Sequence, residues 1–157
     1  MGKNIAKLKF TENDFLQFQQ RLYQQLEQLK HILARPSFGR EKLKIGAELE
    51  MYLVDDHGEI SLSNQALIKD LQDGQFQPEL NQYNIELNLN AFEQKGKPFS
   101  KLRAEILEKT GYLERIAGKR NINIVPVGIL PTLRKEHLNA NFMTDIPRYH
   151  CMAKHLY

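Results

Sequence analysis

The sequence predicts an α+β protein built on a largely antiparallel sheet, with a mixed sheet as the alternative. Residues 43–54 and 83–90 alternate apolar and polar side chains, which is the pattern of half-buried strands. Residues 11–35 and 101–117 repeat apolar side chains every three or four positions, which is the pattern of amphipathic helices. A length of 157 residues suits a single domain, 1–157, with a sizeable core.

The composition is that of an ordinary globular protein and excludes several classes. The formal net charge of +3 is too mild to indicate nucleic-acid binding. No apolar run approaches the roughly 20 residues that span a bilayer, and the first residues carry no secretory signal. We therefore expect neither a nucleic-acid nor a membrane partner. Cys151 is the only cysteine, so no intrachain disulfide can form and a cytoplasmic location is the default expectation.

The first predicted helix is capped by Thr11 and followed by acidic residues in its first turn. Pro36 predicts that it ends near Ala34 or Arg35. The apolar stripe predicts packing against the core, and a dimer contact is the alternative. The stripe consists of Phe15, Phe18, Leu22, Leu26, Leu29 and Leu33.

Residues 43–54 form the predicted central strand, and its polar face is unusual. Glu is depleted in strands, yet Glu48 and Glu50 lie two positions apart and so point the same way. Like charges this close repel each other, and a cation or a proton must offset the repulsion. Gly46, just before them, indicates a position that a ligand or another backbone approaches closely.

The following residues predict a turn at Gly58, a brief strand at 60–62 and a helix at 64–72 capped by Ser63. The second alternating segment, 83–90, then begins. Its polar face resembles a surface that binds something polar, with a solvated face as the alternative. That face carries Asn84, Glu86, Asn88 and Asn90.

The second long helix, 101–117, is predicted to start at the cap Ser100 and to end before Gly118. Its predicted buried side comprises Leu102, Ile106, Leu107, Leu113 and Ile116.

A further strand, 121–130, contains Pro126 and should lie at a sheet edge or a bulge. A helix followed by a strand is one crossover unit, which is why a mixed sheet stays open. A last helix is predicted after a cap at Thr144 or Asp145, with Pro147 in its first turn.

Two clusters near the C-terminus carry weaker signals. His150, Cys151 and His155 lack the spacing and the fourth ligand of a zinc site. A basic, aromatic group would suit nucleic acid, but no binding motif accompanies it and a solvated face is favoured. That group consists of Arg134, Lys135, Arg148, Tyr149 and Lys154.

The candidate site residues are carboxylates. Glu48, Glu50 and Glu86 lie on polar faces of predicted strands, and Glu79 precedes the second strand. Mg2+ prefers one or two carboxylates together with waters and substrate phosphates, and such a site stabilises charge on a transferring phosphoryl group. From spacing alone, a solvated face stays open as the alternative. A glycosidase fits badly, because its two carboxyl groups must flank a sugar.

Three sequence blocks resemble the N-terminal part of the glutamate–cysteine ligase type 2 family, also called carboxylate–amine ligases. The blocks occur in the family's order and cover most of residues 43–157. They are Ile45-Gly-Ala-Glu-Leu-Glu50 with the Leu-Val-Asp-Asp that follows, residues 76–88, and residues 125–150 with their Pro-Val-Gly-Ile-Leu-Pro-Thr-Leu and Asp-Ile-Pro-Arg-Tyr-His segments.

The resemblance implies a fold similar to glutamine synthetase, in which a curved sheet forms a funnel with helices outside. It implies that Mg-ATP phosphorylates the side-chain carboxylate of glutamate and that an amine, commonly that of cysteine, displaces the phosphate. This is a step of glutathione biosynthesis. By resemblance Glu48, Glu50 and Glu86 match Mg2+ ligands, and Glu79 falls where the family often has an acidic residue. Arg148 matches an arginine to which we assign no role.

Family enzymes are considerably longer and continue past the Arg-Tyr block with further metal ligands and basic residues for ATP and glutamate. The resemblance therefore implies that this sequence corresponds to the N-terminal half of a funnel. We do not expect these residues alone to catalyse the reaction. A half-funnel should expose sheet edges and form homo-oligomers through them. The alternative is a truncated, non-catalytic relative that acts as a metal- or nucleotide-binding or assembly module.

Overall fold

The computed structural model describes the backbone of residues 7–156 and the side chains of residues 7–154, so the predicted limits of the domain, 1–157, extend beyond it. Helices and strands alternate irregularly along this part of the chain. They are α1 (Glu12–Leu33), β1 (Lys44–Ile45), β2 (Glu48–Val54), α2 (Asn64–Leu71), β3 (Phe76–Pro78), β4 (Asn84–Asn88), β5 (Phe92–Glu93), α3 (Pro98–Gly118), β6 (Asn123–Val125) and α4 (Pro147–Leu156), with short 3-10 turns at Lys135–His137 and Ala140–Phe142. None of the described helices has the length and apolar character needed to cross a membrane.

The main sheet has four strands in the order β3-β4-β2-β6, and β1 and β5 form a separate two-stranded sheet. All strand pairs among the described residues are antiparallel, which confirms the α+β class with antiparallel sheets. β4 and β6 both run antiparallel to β2 and are therefore parallel to each other, but β2 lies between them. Helix α3 connects the β4–β5 segment to β6, as predicted, but β6 pairs with β2 and not with a parallel neighbour. The mixed-sheet alternative is therefore wrong.

The core lies between one face of the main sheet and the helices α2 and α3. The alternation predicted for the strands is confirmed, because Met51, Leu53, Ile85 and Leu87 are fully buried. They pack against side chains from α2, from α3, from β3 and from the residue that precedes β6. These are Leu67, Leu71, Phe76, Leu113, Ala117 and Ile122.

The predicted central strand 43–54 is divided in two at Gly46. β1 pairs with β5, whereas β2 pairs with β4 and β6. A Cβ atom built on Gly46 would lie 3.7 Å from Ala91, which is an ordinary van der Waals contact, so the backbone of Ala91 is near Gly46 but not close enough to require glycine. Two other predicted strands are shorter than expected. Residues 60–62 contribute one bridge, between Val54 and Ile60, and residues 121–130 contribute only the three-residue edge strand β6.

Helix α1 has its predicted bounds and cap but not its predicted surroundings. Thr11 Oγ1 accepts a hydrogen bond from the Asp14 N–H, and the Asp14 carboxylate accepts one from the Thr11 N–H. Ala34 follows the last turn as C-cap. No residue of α1 is buried, and the six side chains of the stripe are between 41% and 66% exposed. The prediction that this stripe packs on the core is wrong, because α2 and α3 already cover that face of the sheet.

The later helices differ from expectation mainly at their ends. α3 begins at Pro98, two residues before the predicted cap Ser100, because a proline at the first helical position needs no partner for its missing N–H. Leu107 of α3 is 57% exposed rather than buried. α4 begins at Pro147 as predicted. Thr144 does not cap it, since its hydroxyl is buried and donates to the Glu79 carbonyl.

Candidate functional site

The face of the sheet opposite the core carries the predicted carboxylates. In the β2–β4 register, Glu50 lies directly opposite Glu86, and Glu48 lies opposite Asn88. Gln77 of β3 lies on the other side of Glu86 and extends this row across a third strand. Directly opposed side chains have Cβ atoms about 4.5–5.5 Å apart, and like charges in that arrangement repel each other. The structure therefore brings Glu50 and Glu86 together, with Glu48 one step along the same face.

Glu79 follows the edge strand β3 and completes the acidic group. Burial, then a side-chain hydrogen bond with Glu86 and the negative charges of Glu86 and Glu50, together raise the pKa of Glu79 to about 7. A proton or a cation stabilises a carboxyl group that is half-buried and has other carboxylates beside it. Three of the four predicted residues thus form one electrostatically coupled group.

Two clefts open on this face, and Glu79 lines both. The larger cleft, of about 650 Å3, is also lined by Glu48, Glu86 and Arg148. The second, of about 500 Å3, is also lined by Glu50 together with the loop that follows β6. The carboxylates therefore lie at the junction of two spaces, each large enough for part of a small-molecule substrate.

Arg148, which the sequence left without a role, lines the larger cleft through the packing of α4 against β3. The next residue, Tyr149, is 8% exposed, and its hydroxyl donates to the Pro78 carbonyl at 3.4 Å. Burial and then the charge of Glu79 raise the pKa of Tyr149. The Arg148 guanidinium lies 5.8 Å from the centre of the Tyr149 ring. Tyr149 thus fixes the start of α4 and holds a cationic side chain beside the acidic row.

Sequence reasoning missed Gln77 and Tyr149 as members of this site. Gln77 lies two residues before Glu79 and is the register partner of Glu86, so its position on the same side of the chain as Glu79 was an available signal. Tyr149 was named only as part of a basic, aromatic group, because its contact partner Pro78 is 71 residues away in sequence.

The donor chemistry of the group fits a hard divalent cation. Within residues 7–154, no three or more His, Cys, Asp or Glu side chains are already arranged to hold a metal ion. Mg2+ does not require three protein ligands, because it keeps several waters and binds through one or two carboxylates and substrate phosphates. The crowded oxygen donors Glu50, Glu79 and Glu86 suit that mode. The assignment of Glu48, Glu50, Glu79 and Glu86 as metal ligands stays a prediction.

The sequence did not favour a zinc site at His150, Cys151 and His155, and two of these residues have other surroundings in the structure. His150 Nε2 lies 2.7 Å from an Asp145 carboxylate oxygen, and Cys151 is buried. The His155 side chain lies outside the described side chains.

Glu79 predicts a pH dependence of stability in the absence of divalent cations. Because its pKa is raised, folding favours the protonated form of Glu79. The protonated carboxyl group therefore stabilises the folded chain fully below about pH 4.5, and this stabilisation is lost as pH rises through about 7. Glu79→Gln should abolish this loss, so the variant should gain stability relative to the parent between pH 5 and 8. The gain should be about 1 kcal/mol or less, because solvent screens a half-buried group.

Urea unfolding at pH 5 and pH 8 with a chelator checks this difference. Glu108→Gln, an exposed residue of α3, is the control and should leave the pH dependence unchanged. Equal stability differences at both pH values would contradict the coupling of Glu79 to its neighbours.

A comparison with protein-family models identifies one family. The model described as glutamate-cysteine ligase family 2 matches residues 44–157, which is more than half of the chain. The matched range contains all four carboxylates and Arg148, and it leaves out α1. No curated protein and no solved structure matched the chain in the two other comparisons. The chain therefore belongs to glutamate-cysteine ligase family 2.

Proposed function

We propose that this chain carries the Mg-ATP-binding strands of an ATP-dependent carboxylate–amine ligase. In the proposed reaction a side-chain carboxylate oxygen of glutamate attacks the γ-phosphorus of ATP, which releases ADP and leaves an acyl phosphate. The nitrogen of an amine such as cysteine then attacks the acyl carbon, releases inorganic phosphate and forms the amide. The observation that carries the proposal is the cross-strand pair Glu50–Glu86 with Glu79 beside it, in a chain that belongs to a ligase family.

Each part of the site has a proposed task. Glu48, Glu50, Glu79 and Glu86 would hold Mg2+, which when bound neutralises negative charge on the phosphates during transfer. Arg148 lines the same cleft as three of these carboxylates. Its guanidinium suits bidentate bonding to a phosphate or to a substrate carboxylate.

The uncovered face of the sheet is consistent with one wall of a glutamine synthetase-like funnel. Helices α2 and α3 pack on the opposite face, and the carboxylates project from the face that these helices leave free. We infer that substrates approach from this side.

The proposal is tested by calorimetric titration of the 157-residue chain with ATP, with Mg2+ and with a chelator. We expect saturable binding that requires Mg2+. Equal binding with the chelator, or no binding with Mg2+, would overturn it. ADP release is then measured with glutamate and cysteine together and with each alone, because the proposed chemistry needs both for complete turnover.

A second candidate is a non-catalytic module that binds metal or nucleotide, or serves assembly. The observation that favours it is the exposed apolar face of α1, which lies outside the family match. Mg2+-dependent ATP binding without ADP formation, with both substrates present and the C-terminal half of a family funnel supplied, would favour this candidate over the ligase.

A further inference from the structure

Helix α1 presents a continuous apolar face to solvent. None of its 22 residues is buried. The exposed fraction is 59% for Phe15, 66% for Phe18 and 41% for Leu22, and it is similar for the rest of the stripe. A helix of this length extends for roughly 33 Å. A contiguous apolar surface on that scale marks an interaction site rather than ordinary surface.

The spacing of the stripe is symmetric about Leu22. Phe15, Phe18, Leu22, Leu26 and Leu29 are separated by three, four, four and three positions, which reads the same in both directions. Leu22 is also close to the midpoint of the helix, Glu12–Leu33. A second copy that crosses antiparallel at Leu22 would therefore overlap with the helix along its whole length.

We propose that α1 forms a symmetric antiparallel contact with α1 of a second copy of this chain. A twofold axis through the contact makes the interface self-complementary, as in most homodimers. Leu22 then meets Leu22 of the partner subunit, and Phe15 and Phe18 meet Leu29 and Leu26 of the partner subunit. A parallel pair in register would also place each side chain of the stripe opposite its own copy, so the direction of pairing is decided by the charges and dipoles of the helices.

The ends of the contact are apolar too. Leu33 falls level with Thr11 of the partner subunit, close to Phe10 of the partner subunit. Phe10 is 38% exposed, and its ring lies 6.2 Å from the Phe15 ring of its own chain. The apolar contact thus continues past the last full turn of each helix.

Charge also favours the antiparallel direction. The first turn of α1 carries Glu12 and Asp14, and the last turn carries Lys30 and His31. Within the chain, Asp14 also forms an exposed ion pair with Lys7, and Lys30 forms one with Glu27. An antiparallel pair brings the acidic turn of each copy to the basic turn of the other, and the helix dipoles oppose each other. A parallel pair would instead place like charges together at both ends.

The size of the contact sets its strength. Two helices of roughly 33 Å by about 10 Å bury a few hundred Å2 each, which is less than the roughly 800 Å2 per partner of a standard interface. The dimer is therefore weak, with dissociation in the micromolar range, and it forms and separates with protein concentration.

Sedimentation equilibrium of the 157-residue chain over a wide range of concentrations tests the proposal. The parent chain should show a reversible monomer–dimer equilibrium. Leu22→Glu places two carboxylates opposite each other and should raise the dissociation constant at least about 30-fold, the effect of a hot-spot substitution. The matched control Gln24→Glu adds the same charge on the opposite, polar side of α1 and should leave the constant within a few-fold of the parent.

Cysteine cross-linking tests the direction of pairing. Under mild oxidation Leu22→Cys should form an intermolecular disulfide, because the two side chains meet at the twofold axis. Phe15→Cys should not, since its partner is Leu29 of the partner subunit. The natural Cys151 is buried, and the unmodified chain controls for it.

A parent chain that stays monomeric would overturn the proposal. A dimer that survives Leu22→Glu would overturn it as well and would assign the contact to the sheet edges, β3 and β6, where we expected homo-oligomers from the sequence. Equal cross-linking of Phe15→Cys and Leu22→Cys would overturn the antiparallel direction. Circular dichroism of Leu22→Glu checks that α1 still forms, and Mg2+-dependent ATP binding should not change in this variant.

Discussion

Changing Glu50 and Glu86 together to Gln is expected to weaken Mg2+-dependent binding of ATP by about 100-fold or more. The two carboxylates are register partners on neighbouring strands. Changing both therefore removes the directly opposed pair of charges from the row. Glutamine keeps the size of the side chain but offers only a neutral oxygen, which Mg2+ binds poorly compared with a carboxylate. Calorimetric titration with Mg-ATP measures the change directly.

The same double variant should be more stable than the parent in the absence of metal. Directly opposed like charges on paired strands destabilise a sheet, and the Gln side chains remove that repulsion. Loss of binding together with a gain of stability is the expected signature of residues retained for function. A variant that merely misfolds would lose both.

The matched control is Glu108→Gln, which removes one negative charge from an exposed position of α3. It should change neither the affinity for Mg-ATP nor the stability by a measurable amount. If the double variant bound Mg-ATP as tightly as the parent, the carboxylate row would have no role in metal binding. If Glu108→Gln weakened binding equally, the effect would be one of net charge.

The sequence predicted the polar face of the site but not its register. Alternation within β2 and β4 is local, so the side on which Glu48, Glu50 and Glu86 lie was readable from each segment alone. Which residue faces which depends on how the two strands are aligned, and a shift by one residue changes every pair. Sequence alone therefore placed Glu50 and Glu86 on strands, and the fold made them partners.

The error at α1 has a different physical cause. An apolar stripe with a period near 3.6 shows that one face of a helix avoids water, but it does not identify the surface that covers that face. The prediction chose the core because most stripes pack there. The sheet face that would receive α1 is already occupied by α2 and α3, and that competition depends on the tertiary arrangement.

A network of buried side chains holds the loop of the site in place, and it contains the residue with the largest expected effect on stability. Asn64, at the start of α2, is 1% exposed. Its Nδ2 donates to the carbonyls of Asn81 and Asn84, each at 3.1 Å, and to Thr144 Oγ1 at 2.8 Å. The Thr144 hydroxyl in turn donates to the Glu79 carbonyl. One amide thus links α2, the β3–β4 connection and the segment before α4.

Asn64→Leu is accordingly expected to lower the free energy of unfolding by about 3 kcal/mol. Leucine branches at the same carbon as asparagine but is larger, so it leaves no cavity, and the loss reports the missing hydrogen bonds together with some overpacking. Each acceptor left without its donor costs about 1–3 kcal/mol when buried. Urea unfolding should show a lower midpoint with an unchanged slope. Lys69→Leu, at an exposed position of the same helix, should change the value by less than about 0.5 kcal/mol.

The network also connects stability with the site. Because Thr144 holds the Glu79 carbonyl and Asn64 holds Thr144, a folded Asn64→Leu chain should bind Mg-ATP more weakly even at temperatures where it is fully folded. A free energy of unfolding that stays within about 0.5 kcal/mol of the parent would contradict the role of Asn64 in the core. A normal affinity for Mg-ATP in a destabilised variant would show that Glu79 keeps its position through the strand β3 alone.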